Sequence, residues 1–279
     1  MRTSFDLSSV SALRPLAEVA ETLRAAAAGV VDRWLIVGAT ARDLILQHAY
    51  GLPERGRTVD LDVAVAVASW EVFAAFESRL LSSGARRHPH VPHEFSVGGW
   101  KVDVIPFAGV EKNGVIRWPI DGQTELNVTG FAEASANALD VILPGDIQVH
   151  VTSPPGLLIL KLIAWEDRHW QYPRRDGLDI RTLIDSYAEP WNQERLYEEA
   201  DEILQHFAFD NSLAGAALLG RDAAAMAKPA TLQTLLAILE GETGGDALTL
   251  ASDMGGRTEY NLDLLEALLF GLRLSAPTA

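Results

Sequence analysis

Residues 58–67, Thr-Val-Asp-Leu-Asp-Val-Ala-Val-Ala-Val, constrain this chain more than any other stretch. The run is apolar and alternating, the pattern of a strand. Residues i and i+2 of a strand face the same side. Asp60 and Asp62 therefore point one way from the strand end, close enough to repel. Such a pair is unfavourable unless protons or a divalent cation neutralise it. Hard cations such as Mg²⁺ take oxygen ligands and leave positions for substrate phosphates. The segment thus predicts a strand that carries a metal site.

The rest of the composition sets bounds. With 279 residues, 48% of them hydrophobic, the chain can bury one large core or two modest ones. No apolar run approaches the roughly 18–20 residues that span a bilayer. Ala25–Val31 lacks the basic start and cleavage pattern of a signal peptide. The expected location is the cytoplasm, with no membrane partner. Cysteine is absent, which excludes disulfides and thiolate metal sites. A net charge of −15 argues against sequence-independent DNA binding, which depends on neutralising phosphates. Local basic clusters stand out against it: Arg86-Arg87-His88, and Arg168-His169 with Arg174-Arg175.

Periodicity divides the chain near residue 152. Before it, helical spacing runs over 9–29, a short strand over 34–37 and a helix over 40–50. A polar loop, 54–58, leads to the Asp60/Asp62 strand. Ser69 is placed to cap a helix reaching about Ser83. Gly98-Gly99 reads as a hairpin turn between Phe95–Val97 and Trp100–Pro106. Residues 109–130 read as loop and Ala132–Ala138 as a small helix. Pro144-Gly145-Asp146 reads as a second hairpin turn. After Ser153-Pro154-Pro155 the pattern is helical: 156–170, 177–187, 194–207, 212–227, 231–240 and 259–272. Gly241–Gly256 reads as a mobile loop. The expected organisation is a catalytic domain over 1–152 and a helical domain over 153–279 that closes a cleft.

Four pieces bear chemistry. In Val37-Gly38-Ala39-Thr40-Ala41-Arg42-Asp43 a strand enters a helix through glycine. The turn lets a ligand approach closely, and the helix start offers free N–H groups suited to phosphate. The plain alternative is an ordinary helix start with Thr40 near its cap. The Asp60/Asp62 pair is the second piece. The third is Asp103 in Val102-Asp103-Val104-Ile105, an acid inside an apolar strand and expensive to bury alone. A neighbouring strand can bring it beside Asp60 and Asp62; otherwise it pairs with Lys101 or an arginine. The fourth is Lys161, sharing a helix face with Trp165 and Arg168, ahead of Arg174-Arg175-Asp176 and Asp179. Lys161 either meets phosphate or pairs with Asp176 or Asp179. His88, His90 and His93 lie among prolines and read as loop rather than as a metal cluster.

Gly-x-Thr-x-Arg, then Asp-x-Asp on a strand, then a lone strand Asp, resembles the nucleotidyltransferase fold shared with DNA polymerase β. Lys161, Arg168, Arg175-Asp176 and Asp179 narrow the resemblance to the AbiEii family, the type IV toxin–antitoxin nucleotidyltransferases. The likeness spans about 33–187. The family shows Gly-Gly or Gly-Ser where this chain has Gly38-Ala39-Thr40, with Thr40 supplying the hydroxyl.

The resemblance implies an α+β fold, a mixed-sheet nucleotidyltransferase core followed by an all-helical C-terminal domain. Asp60, Asp62 and Asp103 would bind Mg²⁺ (or Mn²⁺) and act in catalysis, with Asp103 activating the acceptor hydroxyl. Gly38, Ala39, Thr40, Arg42 and Lys161 would contact the nucleotide, and Asp176 or Asp179 would complete the last motif. The implied activity is transfer of a nucleoside monophosphate from an NTP to an acceptor, RNA or tRNA by the family analogy, with a protein hydroxyl or a small molecule open as acceptor, and with a cognate antitoxin as partner. Two other readings stand beside it. A catalytically inactive nucleotide-binding regulator would keep the Gly38 turn without needing all three acids. A protein-interaction module would use the helical half as a docking surface.

Overall fold

The computed structural model describes residues 3–53, 60–120, 122–245 and 248–274. Cα positions divide the chain into two compact units, Arg2–Ser153 and Pro154–Ala279.

The first unit opens with β1 (Ser4–Asp6), a 3₁₀ turn (Ser11–Leu13) and α1 (Arg14–Ala27). Then come β2 (Arg33–Val37) and α2 (Gly38–Asp43), which continues as a π-helical stretch, Leu44–Ala49. Next are β3 (Asp60–Val67), α3 (Trp70–Ser82), β4 (Arg86–Arg87), β5 (Glu94–Val97) and β6 (Trp100–Ala108). The unit closes with β7 (Val115–Arg117), β8 (Glu125–Asn127), α4 (Phe131–Ala136), β9 (Leu139–Leu143) and β10 (Ile147–Val151).

Eight of these strands form one mixed sheet in the order β1-β9-β10-β2-β3-β6-β5-β4, and β7 and β8 form a separate hairpin. At its centre β2 runs antiparallel to β3, β3 parallel to β6, and β6 antiparallel to β5. The core packs around these strands. Leu61, Val63 and Val65 of β3 and Val102 and Val104 of β6 are buried. α1 buries Leu16, Val19, Ala20 and Leu23, the helical spacing expected of one apolar stripe. α3 begins where Ser69 accepts a hydrogen bond from the Val72 N–H (3.4 Å) and buries Phe73, Phe76 and Leu80.

The second unit is helical in its regular structure: α5 (Pro154–Arg168), α6 (Arg175–Tyr187), α7 (Pro190–Glu198), α8 (Asp201–His206), α9 (Asn211–Met226), α10 (Pro229–Gly244), α11 (Thr249–Asp253) and α12 (Thr258–Leu274). Small residues on α9 and α12 let the two backbones meet. A Cβ added to Gly220 would press on the Leu268 carbonyl, and one on Gly271 on the Ala217 carbonyl. A polar network is buried here too. The fully buried Tyr187 donates to Asp222 (2.5 Å), which Arg195 also grips through two nitrogens at 2.8 and 2.9 Å. The fold is therefore α+β, a mixed sheet with helices followed by a helical region.

Several local expectations change. Residues 109–130 hold the β7–β8 hairpin rather than loop alone, because Ile116 and Trp118 are buried and anchor it. Residues 194–207 break into α7 and α8 around Ala200. Among the described residues of 241–256, α10 runs to Gly244 and α11 covers Thr249–Asp253, so helix takes the place of much of the expected loop. Glycines in a helix lower its propensity without forbidding it. The helix expected over 40–50 starts two residues earlier and becomes π-helical in its second half. The polar loop 54–58, with Thr58 and Val59 of the strand run, lies outside the described residues. No helix among the described residues is long and apolar enough to cross a membrane.

Candidate active site

The sheet register brings the predicted acids together. Asp62 of β3 pairs directly with Asp103 of β6, and Asp60 pairs with Lys101. Opposed residues of neighbouring strands share a face, as do i and i+2 of one strand. Asp60, Asp62, Asp103 and Lys101 therefore occupy one face. On the other flank of β3, Val37 pairs with Asp62, so β2 delivers the chain to the same point before it turns. Farther along this face, Phe107 of β6 meets Phe131 of α4 with ring centroids 6.1 Å apart, so the apolar cover begins beyond the acids.

Gly38 makes that turn at φ +67°, a conformation that glycine adopts without strain. The approach to Asp62 is equally demanding: a Cβ at Gly38 would lie 2.9 Å from the Asp62 carboxyl carbon and closer still to Oδ2. The start of α2 thus sits directly against one of the acids. Thr40 does not cap α2, since the residue in the capping position is Val37. Its hydroxyl donates to the Asp60 backbone carbonyl (2.9 Å) and ties α2 to the head of β3. Ala39 follows Gly38 in the first turn of α2. Arg42 donates through Nε and Nη2 to Asp43 (2.9 and 2.7 Å).

Two further charged residues complete the cluster. Lys101 places Nζ 3.3 Å from Glu94 Oε2 and 3.6 Å from Asp103 Oδ2. Glu94 lies on β5 directly opposite Asp103. It is a fourth acid that the motifs did not single out. A signal for it exists in the sequence: a two-residue turn at Gly98-Gly99 pairs Val97 with Trp100, and counting back pairs Glu94 with Asp103. The Lys101 ion pair considered as an alternative for Asp103 is present, yet it leaves that carboxylate half satisfied. Asp103 Oδ1 is buried and has no hydrogen-bond partner. Burial raises the Asp103 pKa; the Lys101 ammonium opposes that, and the charges of Glu94 and Asp60 add to it. Burial alone would depress the Lys101 pKa, but the surrounding carboxylates outweigh it and the ammonium is held above its ordinary value.

These donors are all hard oxygens, and the orphaned Asp103 Oδ1 is a free lone-pair site among them, so the donor chemistry fits Mg²⁺ or Mn²⁺. In the arrangement observed, no three His, Asp or Glu side chains among the described residues are spaced to hold an ion.

Lys161, Asp176 and Asp179 form a second charged group, within the helical unit. Lys161 Nζ lies 2.9 Å from Asp176 and 2.6 Å from Asp179, and Arg168 donates to both oxygens of Asp176 (2.7 and 2.8 Å). Burial would raise the Asp176 pKa, but the Arg168 hydrogen bonds and the Lys161 charge bring it down to about 2. Both predicted partners of Lys161 are thus engaged at once. Of the histidines, His88 accepts at Nδ1 from the backbone N–H groups of His90 and Val91 and places Nε2 3.9 Å from Glu94 Oε1.

No protein-family profile and no curated protein sequence matches the chain. Among solved structures it is similar to the antibiotic-resistance factor ANT(2'')-Ia, at 13% identity and a TM-score of 0.37, over 69% of this chain and 93% of that one.

Proposed function

We propose that the acid face of the first unit is a nucleotidyltransferase centre that moves a nucleoside monophosphate from an NTP to an acceptor hydroxyl with Mg²⁺ or Mn²⁺. The single observation that supports this most is the register of Asp62 against Asp103, with Asp60 on the same face and Gly38 turned onto Asp62. Asp60 and Asp62 would hold the cation with the triphosphate, and Asp103 would complete the ligand set. A bound divalent cation stabilises charge on the attacking and leaving oxygens.

The chain's own residues supply the rest. Asp103 accepts the proton of the acceptor hydroxyl. The acceptor oxygen then bonds the α-phosphorus while the bond to the bridging oxygen breaks and pyrophosphate leaves. The turn at Gly38, Ala39 and Thr40 brings α2 up to the acids and orients the triphosphate. Positioning and electrostatics carry most of such a reaction.

RNA is the acceptor this reading favours. The turn between α5 and α6 carries Trp170 and Tyr172, 68% and 50% exposed, with the Arg175 guanidinium over the Tyr172 ring at 5.7 Å. Exposed aromatics beside arginines stack bases and offset phosphate charge. A growth-inhibiting role with a cognate antitoxin follows from the family resemblance alone.

The test is transfer from each α-labelled NTP to RNA in the presence of Mn²⁺. Wild type should label RNA, and Asp62→Ala and Asp103→Asn should lose at least about a hundredfold in rate. Trp170→Ala should weaken RNA labelling and leave NTP binding unchanged. Absence of transfer with all NTPs, together with equal Mn²⁺–NTP binding by wild type and Asp62→Ala, would overturn the assignment and leave a regulator or interaction module.

A further inference from the structure

Lys101 stands where a cation would be most useful, and it is held there loosely. Its Nζ lies between carboxylates of two strands, 3.3 Å from Glu94 and 3.6 Å from Asp103. Tight charge-assisted hydrogen bonds run shorter, near 2.7–2.9 Å. The side chain is 43% exposed, so its head can move into water at little cost. Asp103 keeps one buried oxygen unpartnered even with Lys101 beside it. Among the described residues the Lys101 ammonium stands beside Glu94 and Asp103 and feels the charge of Asp60, three carboxylates to its one positive charge. A divalent cation entering this face meets a positive charge a few ångströms from the oxygen it would use.

We propose that Lys101 is a built-in counter-cation of the acid cluster, which leaves Asp103 when a divalent cation binds, and that Glu94 is the carboxylate to which it retreats. This rests on the cation-binding reading of Asp60, Asp62 and Asp103. Lys101 bridges the two states: without an ion it limits repulsion between the acids, and with an ion it pairs with Glu94 alone. Glu94 is suited to that part. It lies opposite Asp103 on β5, it is already the nearer partner of Lys101, and its other oxygen faces His88 Nε2 at 3.9 Å rather than a second acid. Glu94 is thus a positioning residue that acts through Lys101.

The test is Mn²⁺ titration of the full chain without nucleotide, reading free Mn²⁺ by electron paramagnetic resonance. Lys101→Met should tighten Mn²⁺ binding about fivefold or more, because a like charge leaves the site. Lys101→Arg should bind as wild type does. Glu94→Gln should weaken binding by a similar factor, since Lys101 then has only Asp103 to pair with. In the Lys101→Met background the same Glu94→Gln change should have less than about a twofold effect. Circular dichroism melts establish that each variant is folded. Unchanged or weaker binding by Lys101→Met, while wild type binds, overturns the counter-cation and leaves the metal site standing. An undiminished Glu94→Gln effect in the Lys101→Met background overturns the retreat and makes Glu94 a direct ligand. No binding by wild type or Lys101→Met at millimolar Mn²⁺ removes the metal reading and this inference together.

Discussion

Gly38 meets two demands at one position: a left-handed backbone and no side chain against Asp62. Each excludes alanine for its own reason. Gly38→Ala should therefore destabilise the chain by about 1–3 kcal/mol. It should also displace Asp62 and weaken Mn²⁺–NTP binding. Urea unfolding and calorimetry measure the two effects, and a variant with wild-type stability would show that the turn is not strained. The parity of a strand made the side-by-side placement of Asp60 and Asp62 legible, since i and i+2 must agree. Asp103 was legible only as an anomaly, an acid in an apolar strand. Its partner strand depends on tertiary pairing that no local pattern encodes. Thr40 was read as a ligand hydroxyl, but its hydrogen bond to the Asp60 carbonyl depends on where β3 lies and has no local signature.

Among elements, α9 and α12 show how closely packing and composition are linked. Gly220 and Gly271 each face a carbonyl of the opposite helix, at a separation that leaves no room for a methyl. Adding one overpacks a dense interface. Gly271→Ala should lower unfolding free energy by about 1–3 kcal/mol despite alanine's better helix propensity. A stabilised variant in chemical denaturation would mean that the helices can separate freely. Helices with strong apolar stripes, such as α1 and α3, were legible from spacing because burial imposes the period. The β7–β8 hairpin was not. Its strands are three residues long, and its anchors Ile116 and Trp118 give too short an apolar pattern to separate from loop. The helical turns at 241–244 and 249–253 were hidden by glycine and threonine, whose weak propensities tertiary contacts override.

For the molecule as a whole, acid response is written into the helical unit's charge network. The Asp176 carboxyl is held down to about 2 by Arg168 and Lys161 against the opposing influence of burial. A depressed carboxylate contributes stability that is complete above its unfolded-chain value, near 4, and is lost as pH falls through the folded value. The contribution is on the order of 2 kcal/mol. The stability gap between wild type and Asp176→Asn should therefore be full at neutral pH and close between about pH 4 and pH 2. Urea melts at several pH values measure it, and a gap independent of pH would assign the effect to packing. The change of periodicity after Ser153 coincides with the end of the last strand, β10, and the start of α5. The ion network was visible only as a choice between partners.

The eight-stranded sheet ends in very short strands on both sides: three residues of β1 at one margin, and Arg86-Arg87 of β4 at the other. Long, flat, apolar margins are templates on which foreign chains can build amyloid-like ladders. Here one margin offers few free backbone groups, and the other adds the exposed guanidinium of Arg86, which repels a like copy, while Arg87 is paired with Glu77. A protein with nearly half its residues hydrophobic thereby keeps its central strands out of intermolecular pairing.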